Sequence, residues 1–225
     1  MAAAVLAALA TATPAAAQLG NRQPPNRTLY EGLLASDFVV QDNSATLTAE
    51  ALRGRKVVLI ASADFNWYAE DWNRTWGEGG RADRCILCRL NSDGVAGRQG
   101  FTSVQVATDP VTIAGSVAAA LQPYVGEIVT APDFNAAREM GGEYYVIIEY
   151  WAAHSPWGGR YRAHGGFQIL NSNLERVFDG MGPQINLSVP CFEVRCTEVL
   201  YPQAISEVFQ PGLTRLTTQL GPPPQ

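Results

Sequence analysis

The chain is poor in charged residues and has almost no lysine. Charged side chains make up 16% of its 225 residues, and Lys56 is the single lysine. The 16 basic residues are outnumbered by 21 acidic residues, which gives a net charge of −5. Proteins that bind nucleic acid usually display a basic stripe or patch, and no such run occurs here. The composition therefore argues against a nucleic-acid partner, whereas its 47% hydrophobic residues are enough for a sizeable core.

The chain also lacks the short motifs that mark common catalytic sites. It contains no Gly-x-Ser-x-Gly nucleophile elbow and no phosphate-binding glycine loop. Its two histidines, His154 and His164, are too few for a histidine-rich metal site, and their pattern predicts a surface role on a strand. The sequence therefore favours a non-enzymatic protein that holds no metal and no cofactor.

No run of 18 apolar residues occurs anywhere in the chain, so no transmembrane segment is predicted. Residues 1–17 are uncharged and mostly Ala, Val, Leu and Thr, and Ala15-Ala16-Ala17 fits the pattern of a signal-peptidase site. We therefore expect a signal peptide over 1–17 and a periplasmic or secreted mature protein. The polar residues 18–30 predict a linker, residues 31–220 a single domain, and the proline-rich residues 221–225 a disordered tail.

Four cysteines follow this leader, and an even number in an exported chain favours disulfide bonds. Local pairing would join Cys85 to Cys88 and Cys191 to Cys196, and the other pairings would close loops of about 100 residues. Cys85 and Cys88 also form a Cys-x-x-Cys motif, which in some proteins is a redox dithiol. A zinc site built from all four sulfurs is a further alternative by ligand count.

Strand and helix patterns alternate in the first part of the chain. Residues 55–61 read as a buried strand, and 102–107 as a second strand. Apolar residues between 113 and 124 then recur at the spacing of one helix face. Residues 127–131 predict a short strand, and 133–140 a short helix that begins at an aspartate cap and ends at paired glycines.

The next segment predicts a long hairpin. Residues 143–152 are apolar on both faces, as expected of a central strand. Residues 155–159 predict a turn, and 161–169 a half-buried strand with a polar outer face that includes His164. A turn after residue 170 then leads to a strand over 174–178 that pairs back.

A helical pattern closes the chain between Ile205 and Leu220, and Pro211-Gly212 in its middle predicts a kink or two short helices. Taken together, these patterns predict an α/β (α+β) fold. We expect a single domain with a mixed sheet, a C-terminal β-meander and a closing helix.

Tryptophan is placed where aromatic side chains commonly take part in contacts. Trp151 and Trp157 flank the hairpin turn, and both are candidate partner-binding residues because aromatic side chains are enriched in protein interfaces. The segment Phe65–Trp76 contains three further tryptophans, and as an aromatic loop it would suit a small ligand. Packing in the core is the alternative role for all of these side chains.

The stretch VTIAGSVAAALQPYVGEIVTAPDFNAAREMGGEYYVIIEYW, followed by GGFQILNSNLERVFDG, resembles the α/β domain of exported bacterial envelope proteins. The families concerned are the curli-secretion lipoproteins and the amino-terminal domain of the TolB type. The resemblance covers residues 101–180 and continues over a closing helix at 202–220. It implies assembly or scaffolding in the cell envelope through protein contacts. The chain departs from the lipoproteins because no lipidated cysteine follows its leader.

Residues 36–60, SDFVVQDNSATLTAEALRGRKVVLI, are similar to the segment that precedes the reactive cysteine in exported thioredoxin-fold oxidoreductases and peroxiredoxins. Here ASADFNW follows the strand and contains no cysteine, and Cys85 comes some 25 residues later. The resemblance implies a thioredoxin-like fold whose activity is lost or has moved to Cys85 and Cys88, with Cys85 as the attacking sulfur.

These observations favour an exported, non-enzymatic protein of the bacterial cell envelope that acts through protein–protein contacts. A thiol–disulfide oxidoreductase using Cys85 and Cys88 is the first alternative, and a small-ligand binding protein is the second.

Overall fold

The computed structural model describes residues 42–43, 45–76, 109–155, 160–188 and 195–223. Helices and strands alternate at first, and a run of strands then precedes a long last helix. The helices are α1 (Ala49–Leu52), α2 (Ala63–Trp76), α3 (Pro110–Leu121), α4 (Phe134–Glu139) and α5 (Arg195–Leu220). The strands are β1 (Lys56–Ala61), β2 (Glu127–Ala131), β3 (Tyr144–Ser155), β4 (Arg160–Asn171), β5 (Arg176–Asp179) and β6 (Ile185–Ser188).

These strands form a mixed sheet of six strands in the order β2-β1-β3-β4-β5, with β6 also beside β4. Strand β1 runs parallel to both of its neighbours, β2 and β3, whereas β4 runs antiparallel to β3, β5 and β6. The antiparallel strands form the meander β3-β4-β5, and β6 then returns to the outer edge of β4. The predicted α/β fold with a mixed sheet and a closing helix is confirmed.

The central strands are apolar on both faces because helices cover both sides of the sheet. On one face, Leu59 and Ile148 belong to a core that includes Phe65 of α2, Val117 of α3 and Val208 of α5. On the other face, a smaller core forms beneath α4, and its members are Val58, Ile60, Ala131, Phe134, Ala137, Tyr145, Ile147 and Leu170. A strand buried on both faces has a continuous apolar run, which explains the sequences KVVLIA and YYVII.

The amino ends of β1 and β3 are joined through the carboxylate of Glu143. This group accepts a hydrogen bond from the main-chain N–H of Lys56 at 3.1 Å and pairs with the Arg55 guanidinium. The Lys56 N–H bond, followed by the contact with Arg55, lowers the pKa of Glu143 below its ordinary value of 4.5. The ionised form of Glu143 therefore helps to hold the two parallel strands together.

Side-chain caps begin the short helices as the sequence indicates. Asp133 accepts a hydrogen bond from the Ala136 N–H at 2.9 Å at the start of α4, and Thr48 accepts one from the Ala51 N–H at the start of α1. Gly141 follows α4 with a φ of 67°, a left-handed conformation that favours glycine after a helix. The sequence prediction for this helix is confirmed.

The closing helix differs from the prediction of a kink or two short helices. Helix α5 is continuous from Arg195 to Leu220, with Pro202 and Pro211 inside it. Gly212 faces the segment after β5 so closely that a side chain would collide with the Gly180 carbonyl oxygen. The tertiary contact therefore requires glycine at this position, and the helix continues through Pro211-Gly212 in spite of their low helix propensity.

Two further expectations are corrected by the structure. Phe65–Trp76 lies in helix α2 rather than in a loop, since the segment contains no glycine or proline and the Ser62 hydroxyl accepts a hydrogen bond from the Phe65 N–H at 3.0 Å. The outer face of β4 is not simply solvated, because Gln168 is only 4% exposed.

Several predicted segments lie outside the described residues. They are the signal peptide over 1–17, the linker over 18–30, the strand over 102–107 and most of the turn over 155–159. In the part of the chain that the structure does describe, no helix is both long enough and apolar enough to cross a membrane.

Candidate functional site

The β3–β4 hairpin extends past the end of its parallel neighbour. The last residue of β1, Ala61, pairs with Ile148, and β3 continues through residues 149–155. At about 3.3 Å per residue, this extension is roughly 20 Å long. It begins at the carboxyl ends of the parallel strands, where α/β proteins most often bind ligands, so this end of the sheet is the candidate functional site.

One face of the extended hairpin is packed by aromatic side chains from two helices. Tyr150 of β3 is fully buried, and its ring centroid lies 4.7 Å from that of Tyr68 in α2 at an edge-to-face angle of 77°. The Phe209 ring of α5 lies 6.1 Å from Tyr150 on the same side. These contacts belong to the large core and hold the hairpin in place.

The opposite face of the hairpin carries a group of polar side chains at adjacent positions. Glu149 of β3 pairs with Gly166 of β4, and Trp151 pairs with His164. Gln168 lies two residues beyond Gly166 on β4, so it has the same orientation as His164. We call Glu149, Trp151, His164 and Gln168 the Glu149 set; they lie on the same sheet face as α4 but outside its apolar core.

Glu149 is the centre of this set, because its partner across the hairpin is Gly166, which lies between His164 and Gln168 on β4. His164 Nδ1 lies 3.6 Å from Glu149 Oε1, a distance suited to an ion pair when the imidazole is protonated. The Glu149 side chain is 6% exposed, whereas that of His164 is 33% exposed and reaches solvent. The set therefore has a buried acidic end and an accessible imidazole end.

Two other polar atoms of the set are buried without hydrogen bonds. Trp151 Nε1, a donor, and Gln168 Oε1, here an acceptor, have no partner among the described residues. Trp151 is 1% exposed and Gln168 is 4% exposed. Native proteins satisfy most buried polar atoms, so two unsatisfied atoms on one face of the hairpin, four residues apart in its register, mark this face as unusual.

The arrangement of the Glu149 set does not match nucleophilic catalysis. Ser62, which follows β1, is a hydroxyl candidate next to the start of the extension, and its N–H donates to the Ile148 carbonyl at 2.8 Å. Because β3 lies between β1 and β4, Ser62 and His164 are at least roughly 10 Å apart along the sheet. The Ser62 oxygen also accepts the Phe65 N–H as a helix cap. The geometry of the set suits binding better than acyl transfer.

A depression elsewhere on the molecule lies between residues 43–46 and α5, with a volume of about 270 Å³. The Arg215 guanidinium in its wall donates to the main-chain oxygens of Asp179 at 3.3 Å and of Met181 at 2.9 Å. Through these hydrogen bonds, the Arg215 guanidinium holds the segment that follows β5. The depression is open, and its main cation already has a structural role, so it is the weaker candidate site.

The sequence-predicted site residues are only partly described. Cys85, Cys88 and Cys191 lie outside the described residues, and Cys196 lies in the first turn of α5. The disulfide bonds and the redox alternative therefore stay predictions. Within the described part of the chain, no three His, Cys, Asp or Glu side chains are grouped closely enough to hold a metal ion.

The two predicted partner-binding residues are Trp151 and Trp157. Trp157 lies outside the described residues, and Trp151 is 1% exposed. The role of both in partner binding stays a prediction, and the burial of Trp151 weighs against a direct contact by its indole. Sequence reasoning missed Glu149 and Gln168 as site residues, although a charged residue inside the apolar run EYYVIIEYWA was a usable signal for Glu149.

None of the protein-family models, curated proteins or solved structures with which the chain was compared matches it. A function for this chain is therefore inferred from its own residues and their geometry.

Proposed function

We propose that this chain is an exported protein of the bacterial cell envelope that acts through contact with another protein. The contact is made by the end of the β3–β4 hairpin. The observation that carries the proposal is the extension of β3 through residues 149–155, beyond the last residue that pairs with β1. Segments held on a rigid scaffold are common binding elements, because the scaffold limits the entropy lost on association.

The order of the elements also supports this proposal. Helix α3, short strand β2, helix α4 and long strand β3 follow one another, and the return strands and α5 come next. This is the order implied by the resemblance to exported envelope domains. The outer edge of β4 near the hairpin end is paired with β6, through Arg162 opposite Asn186, so this end of the hairpin is braced.

Site-specific photo-crosslinking in the exporting cell tests the contact. A photoreactive amino acid replaces Arg162, an exposed residue near the hairpin end, or Trp157 in the connection between the strands. Gln122, exposed after α3 and near the opposite end of the sheet, is the matched control position. We expect a discrete protein adduct from the hairpin positions and none from Gln122. Equal labelling at all three positions, or none, would overturn the hairpin assignment.

Export is tested separately by fractionation and mass spectrometry of the purified protein. Cleavage after Ala17 and recovery from the periplasm or medium are the expected results. Recovery of the uncleaved chain from the cytoplasm would contradict export, whatever the crosslinking shows.

A further inference from the structure

The outer edge of the sheet continues along β4 past the last residue of β5. The N–H groups of Gly180 and Gly182 donate to carbonyl oxygens of β4, each at 2.8 Å. Because main-chain groups alternate in direction along an extended segment, those of Asp179 and Met181 point away from β4. An outward row of N–H and C=O groups is a template for pairing with a strand of another molecule. This edge is therefore a surface to which a partner strand can be added.

Other groups of the protein cover most of this edge. Arg215 Nη2 donates to the carbonyl oxygens of Asp179 at 3.3 Å and of Met181 at 2.9 Å. The Met181 N–H donates to the Asp179 carboxylate at 2.9 Å. Farther back along the edge, the Arg176 carbonyl accepts the Asn43 N–H at 2.9 Å. Of the outward groups at positions 179 and 181, only the Asp179 N–H has no partner among the described residues.

The packing of α5 does not explain the position of Arg215. The helix is anchored in the large core by the buried side chains of Val208, Phe209 and Leu216, whereas Arg215 is exposed. Its guanidinium lies in the wall of the open depression between residues 43–46 and α5. Water would therefore reach the two edge carbonyls if the side chain were shorter, so their satisfaction does not need a cation either.

We propose that Arg215 is a cap that keeps this edge closed to strand pairing with a second copy of the chain. Two copies present identical edges, and an antiparallel pair about a twofold axis satisfies both of them at once. With Gly180 on the axis, the Asp179 N–H of each copy faces the Met181 carbonyl of the other. Glycine suits the axis, since facing residues that do not exchange hydrogen bonds lie only about 4.5 Å apart at Cα. In the wild type, Arg215 already occupies the carbonyls that this pairing needs.

The charge of Arg215 strengthens the cap. A second copy that approaches about a twofold axis brings its own Arg215 to the same place, and the two like charges repel. Charged side chains on edge strands commonly prevent pairing between molecules in this way. The inference does not depend on the hairpin contact proposed above, because this edge lies beside residues 165–168 of β4 and not at the hairpin end.

The test compares the purified wild-type protein with Arg215→Ala and with Arg138→Ala, the matched control. Arg138 is exposed on α4, so both variants lose one positive charge from the surface. Light scattering across a range of protein concentrations measures the molar mass, and amide hydrogen exchange measures pairing at Asp179. We expect the molar mass of Arg215→Ala alone to rise with concentration, toward twice that of the wild type. In the paired form the Asp179 amide should exchange about tenfold more slowly, because it gains a hydrogen bond.

Each outcome decides the proposal. A molar mass of Arg215→Ala equal to that of the wild type, with or without a lower Tm, would overturn it, since Arg215 would then only anchor α5. Association without slower exchange at Asp179, or equal association of Arg138→Ala, would overturn it as well. If Arg215→Ala fails to fold, Arg215→Met provides the second test, because it keeps the aliphatic stem and removes the donors and the charge. The same rise in mass and the same slower exchange at Asp179 are expected, and an unchanged mass would contradict the cap.

Discussion

The unsatisfied carbonyl of Gln168 leads to a quantitative prediction about stability. Gln168 is 4% exposed, and its Oε1 has no hydrogen-bond partner among the described residues. A buried polar group left unpaired costs about 1–3 kcal/mol, and replacing it with an apolar group of similar shape recovers this cost. Leucine has nearly the same volume as glutamine, and Leu170 already occupies the next position on the same face of β4. We therefore expect Gln168→Leu to stabilise the fold by about 1–3 kcal/mol.

Urea unfolding followed by tryptophan fluorescence, together with a thermal melt, measures this gain. For a chain of this size, 1 kcal/mol corresponds to about 2–4 °C in Tm, so the variant should melt roughly 2–12 °C higher. Gln122→Leu is the matched control, because Gln122 is exposed and its substitution should change stability by less than about 0.5 kcal/mol. A lower Tm for Gln168→Leu with an unchanged control would refute the reasoning and show that the amide is satisfied in the folded protein.

Three further predictions concern other parts of the molecule. Glu143→Gln should lower stability at neutral pH. Because the folded-state pKa of Glu143 lies below its ordinary value, the stability advantage of the wild type is present above pH 4.5 and disappears as the pH falls through that lowered pKa. Urea titrations of both proteins across this pH range will show the loss. Gly212→Ala should lower Tm, although alanine favours helices by about 1 kcal/mol, because its side chain would collide with the Gly180 carbonyl; a higher Tm would contradict that contact. Peptide mapping under non-reducing conditions should find the cysteines in stable disulfides, whereas a labile Cys85–Cys88 bond with a potential of roughly −120 to −270 mV would favour the thiol–disulfide alternative.

Much of the fold could be predicted from local sequence because each element has a clear periodicity or cap. The strand over 127–131 and the helix that begins at Asp133 agree with the structure, since β-branched runs and an aspartate cap act within a few residues. Among the described residues, helix α2 is the main element for which the sequence prediction was wrong. Its aromatic residues suggest contacts from a loop, but Phe65 is fully buried in the core of the sheet. Whether a side chain is exposed depends on what packs over its segment, and the local sequence does not contain that information.

The candidate site was harder to predict because its members are distant in sequence. Glu149 and His164 meet only through the register of β3 and β4, which places Glu149 opposite Gly166. A shift of one residue would move every side chain of one strand to the other face. The sequence marked Trp151 as a candidate contact residue, but only the packed structure reveals that its indole is buried with an unsatisfied N–H.

By itself, the sequence determined several of the helices and strands, the acidic charge balance and the apolar centre of the sheet, because these depend on residue type and short-range spacing. The tertiary structure decided that α5 passes unbroken through Pro211-Gly212, that Phe65–Trp76 packs as a helix, and that Glu149 lies beside His164. Each of these outcomes depends on contacts between residues far apart in the chain. Such contacts form only when the sheet fixes the register of its strands, which is why the site became visible only in the folded protein.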